Sequence, residues 1–493
     1  MRKSTFLTLA CALAIVVAGC SRATGTVESA SEALGATTLN SIEFSGTGTW
    51  YQFGQAPAPS GPWPQFDVSA YTASINYQAP AARIRMTRQQ TVDPNRVRPT
   101  PVPQNPDQYI NGMSAWNLAV PAGSPAGTAA APAAQPATVE ERTMEIWTTP
   151  HGFLKAAAAN NATSTPIDGG GNTVTFTANG HQYTGRINAQ NQVESVSTTI
   201  DNPVLGDTPV EFAYSDYRDF SGVMFPGRIL RTQGGHPALD ITVSSVTANP
   251  AVDLPVPEQV SSATPPPVTV VATQVAPGVY YLTGGTHHSL AIEQADHIVV
   301  VEGPLNEARS DAVIAKVKET IPSKPIRYVV NTHAHFDHSG GLRTYVDEGA
   351  TVVTHQANVP FYQQAWAAPH TLNPDRLARS SKTATFEAVS GGRHQLTGTH
   401  TIELHEIAGS GHNDGFLMVY LPAEGILFEA DAYTPPAANA PPPAAVNPFS
   451  VNLNENITRL RLNVRQITPG HGPQAVTMAD LRRFITPAPR ATN

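Results

Sequence analysis

Residues 327–341 read Arg-Tyr-Val-Val-Asn-Thr-His-Ala-His-Phe-Asp-His-Ser-Gly-Gly, and no other stretch limits the fold of this chain as strongly. The apolar run Tyr328, Val329, Val330 predicts a strand, and Leu342 to Val346 can start a helix after the glycine pair. Between them lie His333, His335, Asp337 and His338. In extended backbone, residues two apart share a side, so His333 and His335 can grip one ion together. Asp337 and His338 fall past the turn and can face a second. Burying such a cluster without compensation is costly, which makes it a metal site rather than a chance grouping.

A His-x-His-x-Asp-His run after an apolar strand resembles the signature of the metallo-β-lactamase-fold hydrolase superfamily. The resemblance covers about residues 268–486. It implies an α/β domain, a four-layer αββα sandwich with the metals at one edge between the two sheets. It also assigns ligands further along: His412 in Gly411-His412-Asn413, Asp431 in Glu429-Ala430-Asp431-Ala432, and His471 in Pro469-Gly470-His471-Gly472. The implied cradle holds a first zinc by His333, His335 and His412 and a second by Asp337, His338 and His471, with Asp431 between them. Nitrogen and carboxylate donors without thiolate suit catalytic zinc, so two Zn²⁺ are expected, with iron or manganese as admissible occupants. The implied chemistry is attack of a shared hydroxide on a carbonyl or ester-like small-molecule substrate, with Asp337 and Asp431 as the catalytic carboxylates.

The substrate is less constrained. Several β-lactamases of the family carry a thiolate ligand near Asp431 and a Lys soon after it, and neither is present here. A β-lactamase of the all-His/Asp type and a lactonase therefore stand as alternatives, and a thioesterase with a basic C-terminal helical domain is disfavoured. Tyr433 is a candidate substrate contact, as in related lactonases, and His287 and His288 are candidates from a Gly-rich loop. A non-catalytic binding lipoprotein is the reading from a different class, opposed by the complete ligand set.

The ends and linkers point to export. Arg2-Lys3, an apolar core from Phe6 to Val17 and the small-residue stretch ending at Cys20 form a secretory signal over 1–20. It resembles a bacterial lipoprotein signal, which implies lipidation at Cys20, anchoring to a membrane and an outer-membrane location facing the periplasm. Only Cys11 and Cys20 exist, so no disulfide is possible once the signal is removed. The formal net charge of −8 supplies no basic footprint, and nucleic acid is not an expected partner.

At 493 residues, two or more domains are expected. Residues 21–38 read as a tether, and 39–249 as a mainly antiparallel β domain interrupted by a disordered Pro/Ala insertion at about 99–139. One short helix is expected from Gly152 to Ala159, while His151, His181 and His236 have no partner spacing and read as surface residues. A Pro-rich linker, 250–267, leads into the C-terminal domain, 268–486, and a tail, 487–493.

Overall fold

The computed structural model describes residues 25–120, 124, 127–265, 267–438, 440, 443 and 445–486. The proposed signal, Cys20 and the tail 487–493 lie outside the described residues. None of the described helices is long and apolar enough to cross a membrane.

The N-terminal domain is one 13-stranded sheet, and every pairing in it is antiparallel. Near its middle lies the strand Ser41–Tyr51, paired on one side with Gln65–Asn76 and on the other with His236–Ala248. Alternation places Ile42 and Phe44 on the face covered by the helices Val139–Thr148 and Pro150–Ala159, where Met144, Ile146, Phe153 and Leu154 fill the core.

Three expectations for this half do not hold. Residues 27–33 form a helix rather than a tether, because Ala30 and Leu34 bury against the same core and Thr26 caps its start. The segment 99–139 is not wholly disordered: Asp107–Asn111, Ser114–Ala119 and Ala131–Ala134 extend the sheet at its edge. Nor is His151 on the surface; it is fully buried, pairs through Nε2 with the Leu34 carbonyl at 2.9 Å, and burial pushes its pKa down to about 4. The linker packs too, placing Leu254, Val256 and Val260 against the stacked rings of Tyr109 and Trp116.

The C-terminal domain has two sheets. A seven-stranded sheet runs in chain order from Val271–Ala276 to Phe386–Val389, and a six-stranded one from Arg393–Leu396 to Val476–Thr477. Their inner faces meet in an apolar layer that includes Val299, Val330, Val353, Leu404, Val419 and Phe428. Helices Glu307–Thr320 and Leu342–Glu348 cover the outside of the first sheet; Pro448–Arg459 and Met478–Ile485 cover the second. This is the four-layer αββα arrangement, and the strand ends at one edge converge on the ligand loop.

The two domains meet at that edge. Phe336, inside the ligand loop, packs edge-on to Phe53 and Trp63 of the N-terminal domain, with ring centroids 5.3 and 5.6 Å away. Gly54 must come so close that an added Cβ would stand 2.8 Å from the Phe336 ring, and its φ of +77° is one a side chain rarely accepts.

Candidate metal centre

The strand Ile326–Val330 delivers the chain to Asn331, whose buried side chain shapes the ligand loop. Its amide donates to the carbonyls of His333 and His338 at 2.7 and 3.3 Å, and its oxygen accepts from Thr354 and Tyr362. The loop ends in the single helical turn Phe336–Ser339, which turns Asp337 and His338 away from His333 and His335. Gly340 and Gly341 are required by contact: a Cβ at either would lie 2.0 Å from Leu305 O or Ser310 Oγ.

Two groups of donor atoms result, each gathered within 4.8 Å: His333, His335, His412 and Asp431 in one, and His287, Asp337, His338 and His471 in the other. Asp431 joins them. Its Oδ2 lies 2.9 Å from His412 Nε2 and 3.5 Å from His333 Nε2, and its Oδ1 lies 2.9 Å from Nε2 of both His338 and His471. One carboxylate thus offers one oxygen to each subsite. Across each subsite a pair of ring nitrogens face each other, His412 with His333 at 3.3 Å and His471 with His338 at 3.2 Å.

The far sides of the rings fix which nitrogen is free. Acceptors stand at Nδ1 of His338 (Glu302 Oε2, 2.7 Å), Nδ1 of His471 (Thr286 O, 2.9 Å) and Nε2 of His335 (Ala56 O, 3.1 Å). A carbonyl or carboxylate takes the ring proton there, so the opposite nitrogen keeps its lone pair for the site. His335 Nδ1 is buried with no protein partner, the mark of a nitrogen shaped to bind a cation. Burial, helped by His338, pushes His333 down to about 4, and burial with His412 holds His335 well below the usual imidazole range. Both are therefore neutral, as ligands must be. Burial opposes charge at His338 and Asp431 as well. Asp431 and Glu302 nonetheless raise His338 well above its ordinary value, and His338 with the other imidazoles holds Asp431 ionised. His/Asp donors, an orphaned buried nitrogen and a divided carboxylate together fit metal ions in both subsites.

The structure brings together all seven residues assigned to the cradle. It corrects the substrate-contact expectations. His287 is buried against the second subsite, its Nε2 3.2 Å from Asp337 Oδ2, and stands among the donors gathered there. His288 faces elsewhere: its Nε2 meets the Gly472 carbonyl at 2.7 Å and its amide donates to Gly470 O, so it holds the loop that displays His471. Tyr433 is sealed in the apolar layer with Leu453, Ile457 and Leu481, where burial pushes its phenol up to about 12.

Three contributors lie outside the sequence expectations. Glu302 is fully buried, accepts from the Thr332 amide at 2.7 Å as well as facing His338, and holds a left-handed φ of +73°. Its signal is a lone carboxylate directly after the continuous apolar run Ile298–Val301. Gln55 donates to Asp337 Oδ1 at 2.8 Å, and Ala56 takes His335 and the Asn413 amide on one carbonyl. Nothing local in sequence marks these two.

Residues 282–477 match the family model described as the metallo-beta-lactamase superfamily. The C-terminal domain belongs to that superfamily. Among curated proteins, this domain-bearing chain is similar to the 2,4-dinitroanisole O-demethylase subunit alpha of Nocardioides sp. (strain JS1661), 23% identical over 170 residues, or 33% of this chain. The match spans about half of that relative, 47% of its length. Similar solved structures include the metallo-beta-lactamase FIM-1 from Pseudomonas aeruginosa in its mono-zinc form, at 21% identity and a TM-score of 0.34, covering 45% of this chain and 96% of that one. The metallo-beta-lactamase from Pontibacter korlensis is similar at 19% identity and a TM-score of 0.33, covering 44% of this chain and 97% of that one.

Proposed function

We propose that the protein is a zinc-dependent hydrolase acting on a carbonyl or ester-like small molecule. The observation that carries this reading is Asp431, which faces a different His group with each carboxylate oxygen. Zinc held there by His333, His335 and His412, and by Asp337, His338 and His471, would supply Lewis acidity and a water whose pKa is lowered to about 7. The chain's own residues do the rest. Asp337, with one oxygen fixed by Gln55 and the other near His287, orients the attacking oxygen and can take its proton. His287 and Asp337 together give a proton a route toward the leaving group.

Metal analysis by plasma mass spectrometry tests this together with turnover of a panel: nitrocefin, a γ-lactone, a nitrophenyl ester and 2,4-dinitroanisole. The panel spans the β-lactamase and lactonase alternatives and the reaction named for the curated relative. The expected result is about two zinc equivalents per chain and turnover of at least one ester-like substrate. Folded protein without bound metal would favour the non-catalytic binding reading instead. We further propose residence in the bacterial envelope, anchored through lipidated Cys20; release of a Cys20→Ala variant from the membrane fraction tests that anchor.

A further inference from the structure

The segment after the strand Ala81–Gln90 crosses from the N-terminal domain to the loop that carries His412. Arg96 forks Asp414 with two bonds of 2.7 Å and also lies 3.6 Å from Asp93, so its charge is matched. The neighbouring backbone is pinned, since a Cβ on Gly411 would stand 1.9 Å from Val97 O.

Arg98 differs from Arg96. Its Nε donates to Gly411 O at 2.9 Å and its Nη2 to His412 O at 3.3 Å, contacts that fix the guanidinium but do not neutralise it. Among the described residues no carboxylate forms an ion pair with it. Arg98 is half-buried. Holding a cation that no ion pair neutralises partly out of water is unfavourable, and an incoming anion would relieve that cost.

The cavity beside it measures about 300 Å³, and its lining includes Arg98, Gln55, His335, His412 and the apolar rings of Phe66 and Phe449. Among the described residues no Asp or Glu lines it, in a chain with 38 acidic residues and a net charge of −8, and Arg98 is its only Arg or Lys.

We propose that this interdomain cavity is the substrate pocket and that Arg98 is its specificity-determining residue, taking a carboxylate borne by the substrate at a distance from the reacting carbonyl. The proposal rests on the hydrolase reading of the same metal centre and deepens it. The planar guanidinium is held by Nε and Nη2, and Nη1 makes no hydrogen bond among the described residues, so it can still donate to an anion. The apolar wall accommodates the carbon chain between the two ends.

A matched pair of esters reads this out. With the metal-loaded protein, the half-ester mono-nitrophenyl glutarate should be preferred to the neutral nitrophenyl butyrate in kcat/KM. In Arg98→Gln the preference ratio should collapse by about 10- to 100-fold, mainly through KM, with partial recovery in Arg98→Lys. An equal loss on both esters, or no preference in the unaltered protein, would overturn the proposal. Calorimetric titration of glutarate into the metal-free protein supplies a second readout, with tighter binding expected than for Arg98→Gln. If neither ester is turned over but glutarate binding depends on Arg98, the hydrolase reading fails while the anion site stands. Equal glutarate binding by both proteins removes the anion site itself, and matching melting curves exclude a folding defect as the cause.

Discussion

The two metal subsites share Asp431 and differ in what holds them. The second is backed mainly from within its own domain: Glu302 behind His338, the Thr286 carbonyl behind His471 and His287 beside Asp337. The first leans on the other domain, because the carbonyl behind His335 belongs to Ala56 and the loop bearing His412 is tied down by Arg96 and Arg98. Gln55 extends the same reach to Asp337. The comparison teaches that the superfamily domain carries every ligand yet does not by itself orient every one. Loops of the N-terminal domain supply the missing contacts.

The largest test removes what the subsites share. Asp431→Asn should weaken metal binding at both and lower turnover by more than about 100-fold; loss confined to one subsite would break the picture of a divided carboxylate. Next, Glu302→Gln should weaken the second subsite by about 10- to 100-fold while sparing the first, read by competition with a chromophoric chelator. Equal weakening of both would show that the backing is not separate.

Acidity separates the subsites in a third way. Asp431 and Glu302 raise His338 well above its ordinary value, so a metal ion entering the second subsite competes with a proton at Nε2, and affinity there should fall on acidification. In the first subsite His333 and His335 are lowered instead, so those two ligands should add no such competition over the same range. Calorimetry in buffers of different ionisation enthalpy counts the protons released with each ion. The smallest effect should come from Gly54→Val, which presses on Phe336 and shifts the Ala56 carbonyl. A roughly three- to tenfold loss of metal affinity is expected, since one hydrogen bond is worth about 1 kcal/mol.

The ligand loop was legible in sequence because four donors lie within six positions, a density that chance and solvation rarely produce. His412, Asp431 and His471 were legible through their small-residue contexts at strand ends and the family's order. Gln55 and Ala56 were not, for a neutral amide and a backbone carbonyl carry no signature, and they act 282 and 279 positions away from their partners. In the N-terminal domain, period-two alternation exposed the central strands, whereas the edge strand Ala131–Ala134 is Ala and Pro, whose composition mimics a disordered segment. Tyr433 illustrates the opposite error: its neighbour Asp431 suggested a role, but the chain turns between them and sends the ring into the core.

Glu302 carries a tension between durability and use. Its left-handed backbone is one that a side chain adopts at a cost, and glycine would relieve that cost in the same place. Glycine would also leave the Thr332 amide and the back of His338 without their acceptor. A screen for heat resistance alone would weigh Glu302→Gly on its relaxed backbone, whereas a screen for turnover would reject it, so directed evolution of this scaffold should hold position 302 fixed.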